Sequence, residues 1–261
     1  MKLTLIITTY NSPSYLMLTL ESVLLQKVMP DEVIIADDGS GEETRQLIDE
    51  YKRKFPVALH HVWHPDKGFR LAAIRNKAIA KAMGDYIVQI DGDIVMHPLF
   101  ISDHKCNAQE GSFVCGSRSF VKKEYSDKAL AEGRFSYKEL FRNSKNRMNA
   151  LRIPMLTPLF KHSREKDKVT IRGCNVAYWR KDALAINGFN ENFRNWGDED
   201  CDFSVRLCNL GIRKLWLKFS AVEYHIYHEE NSKACASHNR ELMLEALRNG
   251  TTRVPCGIVK D

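Results

Sequence analysis

Two carboxylates one residue apart, Asp91 and Asp93, follow an apolar run at a point where the chain must turn. In a strand, positions i and i+2 lie on the same face, so we expect both side chains at one edge of a sheet. Gly92 between them has no side chain and lets a ligand approach the backbone closely. Paired carboxylates suit Mg²⁺ or Mn²⁺ holding a diphosphate. A polar loop after a buried strand is the alternative interpretation.

The elements that position these carboxylates alternate between strand and helix over the first hundred residues. The pattern predicts strands at 3–8, 32–36, 57–62 and 85–90, and helices at 14–26, 42–54 and 71–83. Such alternation predicts an α/β fold with a mostly parallel, doubly wound sheet and right-handed crossovers. In sheets of this kind, ligands bind beyond the carboxyl ends of the strands.

Polar side chains follow three of the predicted strands, at their carboxyl ends. Because those ends meet at one edge of a parallel sheet, we expect these side chains to line a single crevice. The residues are Thr8, Tyr10 and Asn11, then Asp37 and Asp38, then Asp91 and Asp93.

The second half of the chain is less regular. We predict strands at 113–120 and 175–179, a helix at 202–210 and a last amphipathic helix to position 248. The whole chain, 1–261, is interpreted as one domain. Residues 1–117 form a nucleotide-binding half, 118–168 a basic insertion or loop region, and 169–261 an acceptor and catalytic half.

Composition narrows the class of protein. Seven cysteines without a CxxC pair, in a chain of 261 residues, favour neither a disulfide framework nor a zinc cage, and a reducing cytosol fits best. No apolar run approaches the roughly 20 residues that span a bilayer. The net charge is +6, with Lys and Arg concentrated in 118–168. That region is either a plain solvated surface or one that attracts anionic lipids, glycans or nucleic acid.

Together these motifs resemble the inverting nucleotide-sugar glycosyltransferases of family 2, which have the GT-A fold. The resemblance is carried by residues 7–11, 37–40, 75–76 and 91–93 in that order, and it covers nearly the whole chain. Residues 187–189 and 196–200 are similar to the acceptor half of β-1,4-galactosyltransferases and chondroitin-polymerase type enzymes. The resemblance implies a GT-A domain, a UDP-sugar donor, a metal ion and a glycan or lipid-linked glycan acceptor.

The resemblance also implies how the donor is held. Tyr10 stacks on the base, Thr8 bonds the uracil or ribose, and Asp38 accepts from the uracil N3–H. The remaining candidates near the donor are Asn11, Lys67, Arg75, Asn76 and Gly92. Lys67 is a weaker candidate for a phosphate contact, with a solvated loop residue as the alternative.

The metal ligand set and the base follow from the same resemblance. Asp93 is the direct ligand for Mn²⁺ or Mg²⁺, and Asp91 reaches the ion through water or holds the ribose. His228 completes the metal site and His225 occupies the place of a second, softer ligand, with packed or surface imidazoles as the alternative.

The base in this scheme is Asp200. Beside it, Glu199 binds sugar hydroxyls, and Trp196 with Gly197 contacts the acceptor, although Trp196 is equally interpreted as core. An acid-rich helix start is the alternative for the whole cluster. Asp198 stands where the galactosyltransferases have glycine, which weakens any inference about the sugar.

We therefore expect a metal-dependent inverting glycosyltransferase that acts in the cytoplasm and does not bind nucleic acid. A peripheral contact with the inner face of the membrane is expected through 118–168. The alternative functions are a nucleotidyltransferase and a catalytically silent glycan-binding protein. Nucleotidyltransferases usually have a Gly-rich basic loop after the first strand, and 8–11 is not such a loop.

Overall fold

The computed structural model describes residues 1–161, 167–193, 195, 197–229 and 236–260. Its first half alternates strands and helices as predicted, and each element ends within two residues of the expected position. These elements are β1 (Leu3–Thr9), α1 (Pro13–Leu24), β2 (Glu32–Asp37), α2 (Glu42–Lys54), β3 (Ala58–Trp63), α3 (Leu71–Lys81) and β4 (Tyr86–Asp91).

The second half contributes shorter elements. They are β5 (Ile94–Met96), α4 (Phe100–Asn107), β6 (Ser112–Cys115), β7 (Ser119–Phe120), α5 (Lys123–Glu132), α6 (Tyr137–Arg142), α7 (Arg147–Ala150), a 3₁₀ turn (Pro154–Leu156), α8 (Thr157–Phe160), β8 (Val176–Trp179), α9 (Arg180–Ala185), α10 (Glu199–Asn209), β9 (Arg213–Trp216), β10 (Glu223–His225) and α11 (Ala236–Arg248).

The main sheet has the strand order β3-β2-β1-β4-β8-β6-β9. Only β8 runs antiparallel to its neighbours within the described residues, so the predicted mostly parallel sheet is confirmed. In the register of this sheet Thr8 lies opposite Asp91, and Thr9 lies opposite Asp37. The carboxyl ends of the three central strands are therefore level, as a crevice at this edge requires.

Helices cover both faces of the sheet, so all seven residues of β1 are buried. Leu5 packs with residues of α1 and α2 on one face, and Ile6 packs with residues of α3 on the other. A strand buried on both faces reads as a continuous apolar run rather than an alternating one. Each fully buried Leu or Ile contributes roughly 1.5–3 kcal/mol, which fixes β1 at the centre of the fold.

Helix α2 illustrates how local sequence specifies these elements. Thr44, Ile48 and Tyr51 are its buried residues, spaced by four and three positions along one face. Acidic residues occupy its first turn and basic residues its last turn, which complements the helix dipole. Its observed bounds are those predicted from the sequence.

A second, three-stranded sheet has the order β5-β10-β7. The sequence prediction of one strand over 113–120 is wrong, because β6 and β7 belong to different sheets. The chain leaves the main sheet at Gly116, where a Cβ atom would lie 2.3 Å from the side chain of Asn175. Only a glycine allows that approach, and the strand therefore ends there.

The described part of the basic segment 118–168 begins with β7 and continues with the short helices α5 to α8, joined by loops. Tyr125, Phe135, Tyr137 and Phe141 pack against a buried cluster that includes Tyr224 of the small sheet. Most of its aromatic residues therefore face inward. No helix in the described ranges combines the length and the apolar content needed to cross a bilayer.

Candidate active site

The loops after β1 and β2 are joined by hydrogen bonds. The side-chain oxygen of Asn11, a residue with φ of 44°, accepts from the Gly41 amide at 3.0 Å, and the Asn11 amide donates to Ser40 Oγ at 2.8 Å. Tyr10 is half exposed, and its hydroxyl donates to Asp66 at 2.9 Å. An exposed ring above the strand ends is free to stack on a planar base.

Asp38 is buried and both of its carboxylate oxygens have partners. His64 Nε2 lies 2.6 Å from Oδ1, and the Arg70 amide donates to Oδ2 at 2.8 Å. Asp37 beside it accepts from the Ser40 amide at 2.8 Å and holds the turn. The structure thus places Asp38 at the crevice and gives it an internal role in fixing the loop that leads to α3.

Arg75 is the electrostatic centre of the site. Its side chain is 1% exposed and projects from α3 among three carboxylates. Nη1 lies 2.8 Å from Asp200 Oδ1 and 3.6 Å from Glu199 Oε1, and Nη2 lies 3.2 Å from Asp91 Oδ1. Phe189 closes the cluster, with the guanidinium carbon 5.2 Å from its ring centre. One buried cation thus contacts three acidic side chains and links α3 to the start of α10.

Asp91 is held on two sides. Besides Arg75, the hydroxyl of Thr8 donates to its Oδ1 at 2.8 Å. Strand β4 ends at Asp91, and positions 92 and 93 form a turn. The turn directs the Asp93 side chain away from Arg75 and Thr8, toward His225 and His228. The two carboxylates therefore do not share a single set of contacts. Gly92 is required at this turn, since a Cβ there would lie 2.8 Å from Thr8 O.

Glu199 and Asp200 open helix α10 and both have a raised pKa. Burial and the neighbouring Asp200 raise the pKa of Glu199 to about 7, against the opposing charge of Arg75. Burial likewise raises the pKa of Asp200, and Arg75 opposes it. The Asp200 side chain is 21% exposed and Glu199 only 7%, so Asp200 is the more accessible of the two.

Asp200 packs directly over Gly173. A Cβ atom at position 173 would lie 1.9 Å from Asp200 Oδ2. The position of the Asp200 carboxylate therefore depends on a glycine that is distant in sequence. The region 169–174 was not singled out from the sequence, and no local motif there indicates this contact.

The turn before α10 is strained and fastened to α11. Gly197 and Asp198 have φ values of 118° and 62°. Asn239 donates to the Gly197 carbonyl at 3.0 Å, Arg240 lies 3.3 Å from Asp198, and the Gly197 amide donates to Glu199 at 3.1 Å. Trp196, predicted to contact the acceptor, lies outside the described residues.

Asp93, His225 and His228 form a cluster with the donors for a metal ion. One candidate ligand atom from each residue lies within 4.8 Å of the others. His228 Nε2 is 3.0 Å and His225 Nε2 is 3.5 Å from Asp93 Oδ2. The pairing of β10 with β5 places His225 opposite Ile94, and the Ile226 amide donates to Asp93 O at 3.0 Å.

The polar atoms of this cluster fit a divalent ion. Asp93 Oδ1 and His225 Nδ1 are buried without a hydrogen-bond partner in the described structure, and such atoms are rare unless an ion or water satisfies them. His228 Nδ1 lies 2.7 Å from the Glu229 carbonyl, which leaves Nε2 to face the cluster. Anchoring one ring nitrogen in this way orients a metal-binding imidazole.

Asn76 and Lys67, the other predicted donor contacts, lie in different surroundings. The Asn76 side chain is buried and donates to Phe189 O and Glu191 Oε1, each at 2.9 Å, and accepts from the Phe189 amide at 2.7 Å. It joins α3 to the loop before α10 and so holds Phe189, which packs against Arg75. Lys67 is exposed in the loop between β3 and α3.

Arg118 and Glu223 border the metal cluster and were not singled out from the sequence. Arg118 Nη1 lies 3.7 Å from Cys174 Sγ, and its guanidinium carbon lies 4.4 Å from the ring centre of Phe120. The Cys174 thiol donates to Glu223 Oε1 at 3.3 Å, and burial raises the pKa of Glu223 well above its usual range. The parallel pairing of β7 with β10 brings these residues together, and no local motif signals it.

Solved structures confirm the predicted fold class. TarS of S. aureus superposes with a TM-score of 0.66 at 19% identity, covering 95% of this chain and 40% of that one. GalNAc-T7, solved with UDP, GalNAc and Mn²⁺, superposes with a TM-score of 0.69 at 16% identity, covering 94% of this chain and 48% of that one. At these identities the likeness concerns the GT-A fold.

The curated relatives include hyaluronan and chondroitin synthases. Hyaluronan synthase from Pasteurella multocida is 28% identical over 224 residues, which are 80% of this chain and 23% of the relative. Chondroitin synthase from Escherichia coli is 27% identical over 244 residues, or 87% of this chain and 34% of the relative. The chain thus spans about a quarter to a third of the length of these relatives.

Two family models match the chain. The model described as N-terminal domain of galactosyltransferase matches residues 158–229, which include the turn before α10 and the two histidines of the metal cluster. The model described as glycosyl transferase family 2 matches residues 4–182, well over half of the chain, and includes Arg75 and both carboxylates of the turn after β4. The chain therefore belongs to glycosyl transferase family 2.

Proposed function

We propose that this glycosyltransferase is metal-dependent and inverting, and that it moves a sugar from a UDP-sugar to a hydroxyl of a glycan or lipid-linked glycan. The observation that carries the proposal is the position of Arg75 between the donor end of the sheet and Asp200. One buried side chain thus links Asp91 of the first half to the acids of α10. A reaction between two substrates requires such a meeting of two half-sites.

We assign donor recognition to the residues at the carboxyl ends of β1, β2 and β4. Tyr10 offers an exposed ring for the base, and Thr8 and Asp91 offer polar groups for the ribose. Asp38 fixes the surrounding loop. Structures of TarS with UDP-GlcNAc and of GalNAc-T7 with UDP support a UDP-sugar for a chain of this fold.

Asp93, His225 and His228 are the residues that would hold the metal. Two imidazoles and one carboxylate favour Mn²⁺ over Mg²⁺, because Mg²⁺ prefers oxygen ligands. When bound, the ion offsets the negative charge on the leaving diphosphate. Every ligand lies in the turn after β4 or at the end of β10, so the pairing of these segments fixes the site.

Asp200 is assigned as the general base. Arg75 holds one of its oxygens and fixes the orientation of the carboxylate. Burial raises the pKa of Asp200, and a raised pKa makes its carboxylate a stronger base. It takes the proton from the acceptor hydroxyl as the new bond forms. Inversion at an α-linked donor gives a β-linked product.

A donor panel tests this proposal. UDP-glucose, UDP-galactose and their N-acetyl forms are incubated with and without Mn²⁺, and release of UDP is measured with and without saccharide acceptors. We expect one donor to be consumed in the presence of Mn²⁺, and faster with an acceptor. Failure to consume any of them under every metal condition would favour a silent glycan-binding protein. Pyrophosphate release from a nucleoside triphosphate would favour a nucleotidyltransferase.

A further inference from the structure

The segment 153–160 carries a cluster of exposed apolar side chains, here named the 153–160 patch. Met155 is 89% exposed and Leu159 is 76% exposed, and Ile153 and Phe160 are exposed at its edges. Met155 and Leu159 are four positions apart in consecutive helical turns, so they project on the same side. Single exposed apolar residues are ordinary, but several together mark an interaction surface.

The patch is held firmly to the protein beneath it. The Ile153 amide donates to the Phe219 carbonyl at 2.9 Å, and the Thr157 hydroxyl lies 2.5 Å from that of Ser220. Phe160 packs edge-on against Phe219, with 5.1 Å between the ring centres. The apolar side chains therefore project from an anchored support. This support is the loop that leads into β10, which carries His225.

The charge around the patch is mainly positive. Residues 140–161 contain five Lys and Arg and no Asp or Glu. Two of these cations are paired with acids outside the segment, Arg152 with Asp103 and Arg142 with Glu139. Lys218 lies beside the patch, with its ammonium 5.5 Å from the Phe219 ring centre. Apolar side chains within a basic surface suit the interface of an anionic bilayer, where the side chains enter the headgroup region and the cations meet lipid phosphates.

The same charge argues against a second copy of this chain. In a two-fold dimer the same surface faces itself, so the basic surroundings of one patch would lie against those of the other. Repulsion between such surfaces opposes self-association.

We propose that the 153–160 patch docks this protein on an anionic lipid surface, with Met155 and Leu159 entering the interface. The inward packing of Tyr125, Phe135, Tyr137 and Phe141 means that these aromatics of the basic segment are not the inserting residues. Docking here places the loop before β10, and with it the acceptor half, on the membrane side. Docking requires neither the donor nor a metal ion, so its test is independent of the test of the proposed function.

Cosedimentation with vesicles tests the docking. The full chain is mixed with vesicles of phosphatidylcholine alone or with phosphatidylglycerol added, at low and high salt. We expect binding only to the anionic vesicles and a steep fall with salt. The double variant Met155→Ser, Leu159→Ser should lower the partition coefficient by about tenfold or more, because both side chains lose their apolar transfer. Neither residue is packed in the protein, so the fold should not change.

Met83→Ser is the matched control. Met83 is 79% exposed, comparable to Leu159, but lies between α3 and β4 outside the basic segment. It should bind vesicles as the wild type does. As a second readout, Leu159→Trp should shift its emission to the blue on anionic vesicles, and Met83→Trp should not.

Three results would overturn the proposal. The first is equal binding to neutral and anionic vesicles, or none to either. The second is unchanged binding by the double variant. The third is concentration-dependent self-association of the wild type that the double variant loses, which would make a second copy the occupant of the patch.

Discussion

Replacing Glu199 with glutamine removes a carboxyl group whose ionisation is disfavoured in the folded protein. Burial and Asp200 raise its pKa from 4.5 to about 7. At about 1.36 kcal/mol for each tenfold change in the proton equilibrium, the ionised form costs the folded state about 3 kcal/mol. Glutamine has nearly the same shape and can still accept the amide proton of Gly197, but it carries no charge.

The sign of the pH dependence follows from proton linkage. Between pH 4.5 and about 7 the folded protein retains a proton on Glu199 that the unfolded chain has released. The free energy of unfolding of the wild type therefore falls as the pH rises from 4.5 to about 7 and levels off above that, as far as this residue contributes. Glutamine is neutral at every pH. The variant should exceed the wild type by roughly 1 kcal/mol near pH 5 and by about 3 kcal/mol near pH 8.

Chemical denaturation of the metal-free protein at several values between pH 5 and pH 8 measures this difference. Thermal unfolding should report the same trend, at roughly 2–4 °C for each kcal/mol in a chain of this size. Glu43→Gln, at an exposed position on α2, is the matched control and should change little at any pH. A variant that is equally stabilised at both ends of the pH range, or destabilised near pH 8, would refute the placement of Glu199 in a buried acidic cluster. If Glu199→Gln is more stable but transfers sugar more slowly than the wild type, it shows the trade-off between stability and activity that is common at active sites.

Three further substitutions test the site. Asp93→Ala should abolish the enhancement of UDP affinity by Mn²⁺ in calorimetry, because it removes the carboxylate that lies with His225 and His228 in the metal cluster. Undiminished enhancement would exclude Asp93 as a ligand. Asp200→Asn should retain donor affinity but lower the rate of transfer by about 10² or more, the scale of a lost general base. The control Asp127→Asn, on the exposed face of α5, should transfer at the wild-type rate. If Asp200→Asn stays within a few-fold of wild type, the base is Glu199 instead. Gly173→Ala should lower the rate constant of transfer by about tenfold with little change in donor affinity, since its methyl group displaces the Asp200 carboxylate; wild-type kinetics would mean that the position of Asp200 is not critical.

The sequence determined the elements whose signals are local. Strand and helix periods placed the first seven elements within two residues, and charged ends with a 3.6-residue apolar period gave α2 its bounds. The parallel order of the central strands followed from the same alternation. It also placed Asp91 and Asp93 after a strand, because side chains at strand ends are positioned by their own element. The helix predicted at 202–210 begins three residues earlier, so Glu199 and Asp200 open α10 instead of preceding it.

Only the tertiary structure decided which of these side chains meet. The single predicted strand over 113–120 divides between two sheets, because Gly116 packs against Asn175 far along the chain. Asn76, a candidate for donor binding in the sequence, is occupied by the loop at Phe189. Arg118 borders the metal cluster only because β7 pairs with β10. No period within a segment encodes such pairings.

The two central contacts of the site also depend on the tertiary structure and not on local sequence. Asp93 meets His225 through the antiparallel pairing of β5 with β10, and Arg75 meets Asp200 across 125 positions of sequence. Residue types alone left a packed or surface imidazole open as the alternative for each histidine. Local sequence fixes what each element is and which residues stand at its ends. The distances between those ends come from packing the whole core, because the burial that holds the elements together is distributed over all of them.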